Sequence, residues 1–265
     1  MVTLALAKVA VSIAAPLLLG AGPLLPSREA QSAGVSIPKA ITSFHPLPQE
    51  ELMTSYSLAN SYLMEGKFED SLAALELAGE INNELPDIWL TRGIVNEKLL
   101  NWEDALKDYQ RARELTRKRS VFNREDPTII SNIANAETGL GRWDDALRDF
   151  SKSSEMDKSF YAPKIGKSLV LYQLDKKSEG LKVMKEILDL YPSTFTDGMA
   201  AVACMSFDVD GSASNLERSK VMYDEALKQD PRYSDMDWLL NIRRWPPKVV
   251  SAMESLRLAG RYEDV

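Results

Sequence analysis

Trp102-Glu103-Asp104-Ala105-Leu106 and Trp143-Asp144-Asp145-Ala146-Leu147 are one phrase written twice: an aromatic residue, two acids, an alanine and a leucine. A weaker copy, Phe68-Glu69-Asp70-Ser71-Leu72, stands 34 residues before the first. A period of this length marks a stack of one supersecondary unit, in which each copy buries a face it cannot bury alone. The spacing predicts an all-α chain, a right-handed superhelical solenoid of about five helical hairpins closed by C-terminal capping helices. Function is then expected on an extended surface rather than in a pocket.

The copies follow the tetratricopeptide pattern, W-x2-L-G-x2-Y, then A-x3-F, then Pro. A first repeat over residues 52–85 carries Leu58, Ala59, Tyr62, Gly66, Phe68, Ser71, Leu75 and Ala78. The second, 86–119, keeps Trp89, Gly93, Trp102, Ala105, Tyr109 and Ala112, with Arg92 and Asn96 where leucine and tyrosine are usual. A loop, Ser120 to Glu125, lengthens the next spacing to 41 residues. The third repeat, 127–160, then opens on Asp126-Pro127, a good helix start. A degenerate fourth repeat covers 161–194, with Asp175 at its turn and Pro192 at its end, and a fifth covers 195–232, with its turn expanded by Asp208-Val209-Asp210-Gly211-Ser212. A helical segment from Met236 to Arg243 and another from Val249 to about Leu258 are expected to cap the stack. Small residues at Ala59, Gly93 and Ala134, and at Ser71, Ala105 and Ala146, would let paired helices approach closely.

Ahead of residues 51–265, the repeat domain, the composition changes. Val9 to Leu25 is apolar and interrupted by Pro16, Gly20, Gly22 and Pro23, and Ala30-Gln31-Ser32 supplies small residues for a signal peptidase. Residues 1–32 therefore read as a signal or lumen-targeting segment. The alternative is an uncleaved anchor over residues 9–25, barely long enough to cross a bilayer. Residues 33–50, with Pro38, Pro46 and Pro48, read as an extended leader.

Acidic residues exceed basic ones by 39 to 32, a formal charge of −7. A general nucleic-acid binder needs many cations to displace phosphate counterions, so nucleic acid is not an expected partner. A single cysteine, Cys204, allows no internal disulfide, and a single histidine, His45, no histidine-rich metal site. No nucleophile-base pair or phosphate loop is visible, so neither catalysis nor a cofactor or metal is expected.

The run Leu171-Tyr172-Gln173-Leu174 through Leu190-Tyr191-Pro192, then Asp230-Pro231-Arg232-Tyr233, Asp237-Trp238 and Asn241-Ile242-Arg243-Arg244-Trp245-Pro246-Pro247, resembles the chloroplast lumen common family of tetratricopeptide proteins. The Arg-Arg-Trp-Pro-Pro ending is its most specific part, and the resemblance spans roughly residues 52–258. It implies a helical solenoid in the thylakoid lumen with no catalytic role, membrane-associated only through partners or an uncleaved N-terminal segment. Such a protein in a plant or alga needs a stroma-directing peptide ahead of the apolar segment; only eight residues precede it, which leaves a truncated gene model or another compartment as alternatives. The expected function is a scaffold for other proteins or peptide segments, photosystem subunits among them, that assists assembly or upkeep of a membrane complex. The alternative is an accessory or regulatory subunit of a soluble enzyme.

The first helices of the hairpins are expected to line the partner face with Tyr56, Asn60, Leu90, Thr91, Ile94, Asn132 and Asn135. They suit an extended or helical peptide, or are simply solvated helix faces. The dicarboxylate clamp of chaperone-binding relatives keeps only Asn60; Tyr56, Thr91, Thr128 and Asn132 stand at its other places, without the cations that two carboxylates need. Arg117, Lys118 and Arg119 form a basic patch that would dock an acidic partner or complement a helix dipole. Trp245 reads as a docking anchor or, preferably, as cover for the end of the stack. Asp208 to Ser212 fails as a calcium loop, since Ala213 and Ser219 occupy the places of the glycine and the bidentate acid.

Overall fold

The computed structural model describes residues 48–190 and 195–261. The targeting segment 1–32, the leader up to residue 47 with His45, and Pro192 lie outside the described residues. Among those described there is no strand, and the helices pair into hairpins. The chain divides after Asn83 into two compact units.

The first unit holds α1 (Pro48–Met64) and α2 (Phe68–Ile81). The helix starts three residues before the end of the expected leader, because a proline is well suited to a first helical turn whose N–H groups lack partners anyway. Ala59, Ser71, Leu75 and Ala78 are fully buried, and the Ser71 hydroxyl donates to the Ala59 carbonyl at 2.8 Å, joining the two helices at their small residues.

The second unit begins with α3 (Pro86–Lys98) and α4 (Trp102–Arg119), then α5 (Pro127–Gly139) and α6 (Trp143–Met156). It continues with α7 (Ala162–Gln173), α8 (Lys177–Leu190), α9 (Thr196–Val209) and α10 (Ala213–Gln229). Ring-against-glycine contacts set the spacing. A Cβ on Gly93 would lie 2.5 Å from the Tyr109 ring across the α3–α4 hairpin. One on Gly139 would lie 2.2 Å from Trp102, and one on Gly166 2.4 Å from Phe150, both between successive hairpins. Aromatics of the second helices thus serve both jobs, Tyr109 inside a hairpin and Trp102 and Phe150 between hairpins, with Ala105, Leu106, Tyr109, Ile129 and Ile133 in one continuous core.

Each of the first four hairpins turns through a residue with left-handed backbone, two positions before its second helix. These are Gly66 (φ 74°), Leu100 (φ 64°), Gly141 (φ 70°) and Asp175 (φ 63°). At Leu100 a branched side chain occupies a region that costs L-residues energy, so tertiary packing rather than local preference imposes this turn.

The C-terminal segment departs from an ordinary cap. After a 3-10 turn at Pro231–Ser234, the chain makes a π-helical turn at Trp238–Ile242, where an α-helix from Met236 to Arg243 had been expected. It closes with Arg243 N–H donating to the Trp238 carbonyl at 2.8 Å. Then α11 (Pro247–Gly260) folds back mainly onto α9, touching α7 and α10 to a lesser and equal extent, instead of packing chiefly on α10 as a further repeat would. Covered on every side, α9 is buried without interruption from Asp197 to Ser206.

Candidate functional site

The first helices of the second unit, α3, α5, α7 and α9, form its candidate partner face. Leu90 and Ile94 on α3 are half-buried and pack onto the core beneath. Asn135 on α5 is also half-buried, whereas Thr91 and Asn132 are 6% exposed and offer little to a partner. They are expected on the open face, and the fold buries both instead. In the first unit Tyr56 and Asn60 are half-buried, and the Asn60 amide donates to the Tyr56 carbonyl of its own helix at 2.8 Å.

The C-terminal segment crosses this face as a clasp. Arg243 Nε donates to Asp197 Oδ1 at 3.0 Å, its terminal nitrogen to Oδ2, and the Tyr233 hydroxyl also donates to Asp197. Arg244, in left-handed conformation (φ 59°), reaches back to α3. Its guanidinium donates to Glu97 Oε1 at 2.7 Å and to the Glu97 carbonyl at 2.6 Å, and sits 4.6 Å from the centre of the Trp102 ring. Glu97 also accepts from the Tyr109 hydroxyl at 2.8 Å. Lys248 then binds the α7–α8 turn, its N–H to Gln173 Oε1 at 2.9 Å and its ammonium to Asp175 at 2.6 Å. Burial, and after it the Arg244 and Arg243 charges, hold the Lys98 ammonium below the usual lysine range, although Glu97 opposes them.

Trp245 is 4% exposed, 5.9 Å from the Tyr233 ring, so it is no docking anchor. It is core within the clasp, since an indole buries too much apolar area to be left in water when a ring lies beside it.

A polar pair recurs beneath the face. In the second hairpin Asp108, 2% exposed, accepts from Arg92 Nε at 3.0 Å and from Asn96 at 2.9 Å. In the third, Asp149 again lies there but Glu137 replaces the asparagine, 6% exposed and with its Oε2 unpartnered. Burial first, then the Asp149 and Asp145 charges, push the Glu137 carboxyl up from 4.5 to about 7. Its contribution to stability is complete below its unfolded value and is lost as pH rises through about 7. Glu137→Gln is therefore expected to stabilise the protein by about 1–3 kcal/mol at pH 8 and to do little at pH 4. Denaturant melts of both proteins across that range check this, and a difference independent of pH would refute the assignment.

The basic patch lies at the end of α4 and in the following loop. Arg117, Lys118 and Arg119 are exposed; Lys118 pairs with Glu114 at 2.6 Å. The Asp208 carboxylate accepts from Lys177 at 2.6 Å and from the Tyr172 hydroxyl, so it ties α9 to α7 and α8. No group of three or more histidine, cysteine, aspartate or glutamate residues is placed to hold a metal ion among the described residues. Cys204 is buried, and burial pushes its thiol up out of the reactive range.

No protein-family model matches the chain, and no curated protein matches it. Among solved structures it is similar to the pilF protein of Pseudomonas aeruginosa, with a TM-score of 0.57 and 16% identity over 82% of this chain and 95% of that one. A second is MamA (41-end) from Desulfovibrio magneticus RS-1, with a TM-score of 0.58 and 13% identity over 68% of this chain and 98% of that one. A third is YrrB, titled a tetratricopeptide protein with an unusual peptide-binding site, with a TM-score of 0.51 and 15% identity over 69% of this chain and 88% of that one. The fold is the tetratricopeptide fold.

Sequence reasoning singled out Tyr233, Arg243 and Arg244 only within the run that carries the family resemblance, and it missed their clasp partners Asp197 and Glu97. One signal for them exists. Asp197 to Met205 is apolar around its whole circumference apart from the initial acid, and a helix of that kind must be covered on its outer side too.

Proposed function

We propose that this chain is a non-catalytic scaffold that binds peptide or protein segments along the first-helix face of its hairpins. One observation carries the reading. The chain already seats a helix of its own, α11, on α7 and α9 through Val249, Ala252, Met253 and Leu256, each at most 2% exposed, in the manner of an amphipathic helix in a groove. The corresponding face of α3 and α5 keeps Leu90, Ile94 and Asn135 for a partner. The bound segment is helical or extended, with aliphatic side chains for Leu90 and Ile94 and a backbone or amide for Asn135.

The resemblance of residues 171–192 and 230–247 to the lumen family supports a place in the thylakoid lumen and a role in assembling or maintaining a photosynthetic membrane complex. Crosslinking and affinity capture from the membrane fraction test this. The expected result is recovery of membrane-complex subunits by the unaltered protein, with at least about tenfold less by Ile94→Arg, as for a residue at the centre of a contact, while its circular dichroism stays the same. Recovery of one soluble enzyme with altered turnover would replace the scaffold with an accessory subunit. Sequencing the mature N-terminus tests the compartment, and a start at Met1 would contradict cleaved export.

A further inference from the structure

The loop between α4 and α5 does no packing that would explain its composition. It is the insertion that stretches the repeat spacing to 41 residues, so the hairpin stack does not require it. Yet its tip carries two large apolar side chains, Val121 and Phe122, 90% and 75% exposed. Leaving such groups in water forgoes burial; Met64 and Leu258 do so singly, at 74% and 75% exposed, whereas Val121 and Phe122 are adjacent.

The backbone holds them outward. Asn123 N–H donates to the Ser120 carbonyl at 3.1 Å and Arg124 N–H to the Ser120 hydroxyl at 3.0 Å, closing a turn whose two corner residues are Val121 and Phe122. Asn123 follows in the left-handed conformation (φ 50°), one that asparagine tolerates.

Charge surrounds the tip. Arg117, Lys118, Arg119 and Arg124 fall within eight residues that contain no acid, and the Arg124 guanidinium lies 5.4 Å from the centre of the Phe122 ring. Of the nearest carboxylates in sequence only Glu114 touches these cations, through Lys118. Glu114 binds Arg111 at 3.0 Å and Lys118 at 2.6 Å, Glu125 binds Arg113 and Lys152, and Asp126 caps α5 through the Thr128 N–H at 2.7 Å. Arg117 and Arg119 make no ion pair among the described residues and are exposed. Screening confines the protein's overall acidity to short range, about 8–10 Å at physiological salt, so the loop presents a locally positive surface.

We propose that the Arg117–Arg124 loop docks the protein on an anionic membrane surface, with Val121 and Phe122 entering the boundary between headgroups and acyl chains and Arg117, Arg119 and Arg124 meeting lipid phosphates. A projecting apolar tip with a cationic rim fits a fluid apolar phase; an acidic peptide would call for a concavity to receive its side chains, and here the apolar groups protrude. No described helix is long and apolar enough to cross a membrane, and an interfacial loop requires none.

The test uses the full-length protein with a solvatochromic probe at Val121→Cys, or, for comparison, at Lys185→Cys on the exposed side of α8, leaving buried Cys204 in place. Because the reading is local to the loop, any attachment through the N-terminal apolar segment does not imitate it. Vesicles of phosphatidylcholine mixed with phosphatidylglycerol are expected to shift the Val121 probe to the blue, with no shift on phosphatidylcholine alone and none at Lys185. Adding Arg117→Glu, Arg119→Glu and Arg124→Glu together is expected to weaken the vesicle-dependent shift at least about tenfold, since each cation contributes near an anionic surface. No shift at Val121 on anionic vesicles, or a shift untouched by charge reversal, overturns the proposal. So does a shift produced by a soluble acidic peptide and not by vesicles, which would make the loop a protein contact.

Discussion

Arg243→Ala is expected to destabilise the protein by about 3–5 kcal/mol, the cost of leaving one member of a buried ion pair alone. Arg243 and Asp197 side chains are 8% and 6% exposed, and the guanidinium binds both carboxylate oxygens. Removing it strands a charge at the start of α9. Tyr233 still donates to that carboxylate, and the helix N-terminus favours an anion there by about 0.3–1 kcal/mol, which offsets only a small part of the loss. Arg243→Lys keeps the charge without the two-point geometry and should fall between the two. The double variant Asp197→Leu with Arg243→Met should recover most of the stability, because a pair replaced by apolar groups leaves nothing buried and unpaired. Denaturant melts measure all three. A loss below about 1 kcal/mol for Arg243→Ala would mean that the pair is solvated and the clasp loose.

Tyr109→Ala is the second large effect, about 3–5 kcal/mol for deleting a buried ring. The ring is fully buried, fits against Gly93, and donates through its hydroxyl to Glu97 at 2.8 Å. Burial comes first among the causes that hold its hydroxyl well above the ordinary tyrosine range, ahead of the Glu97 charge. Tyr109→Phe separates packing from hydrogen bonding and should cost only about 0.5–1.5 kcal/mol. The contact with Gly93 supplies a sharper check. A larger residue there clashes with the ring, so Gly93→Leu alone should destabilise by about 1–3 kcal/mol, yet in the Tyr109→Ala background it should fill the vacated space. Melts of the four proteins give the coupling, and strict additivity would show that the two residues do not face one another.

The helical frames were legible because their signals are local and redundant. Proline opens α3 and α5, a tryptophan opens α4 and α6, and small residues sit where rings must pass. The turn at Asp175 was placed despite lacking glycine, since the periods on either side constrained it. The clasp was not legible, because its contacts join residues far apart in sequence, Arg244 to Glu97 and Lys248 to Gln173, which no spacing rule links. For the same reason Trp245 stayed open between a docking anchor and, preferably, cover for the end of the stack: sequence shows a large ring near that end, not the Tyr233 ring beside it. The π-helical turn at Trp238–Ile242 is similarly a product of tertiary demand, which rewinds the segment so that Arg243 meets Asp197. The partner-face positions Thr91 and Asn132 show the limit of helical periodicity, which gives the direction of a side chain and not how much of it the folded chain buries.

The return of α11 onto α9 also governs how the chain comes into being. Synthesis is vectorial, and α9 emerges long before α11, which packs on it and sets the Val249 carbonyl against the Cys204 thiol, exists. Nascent chains halted anywhere short of Val249 carry a greasy, unsheathed rod, the kind of surface that recruits holdases and seeds clumping. Quality control can therefore read the arrival of α11, Pro247–Gly260, and a frameshift or stop within that helix should reveal itself as insolubility rather than as a shorter working protein.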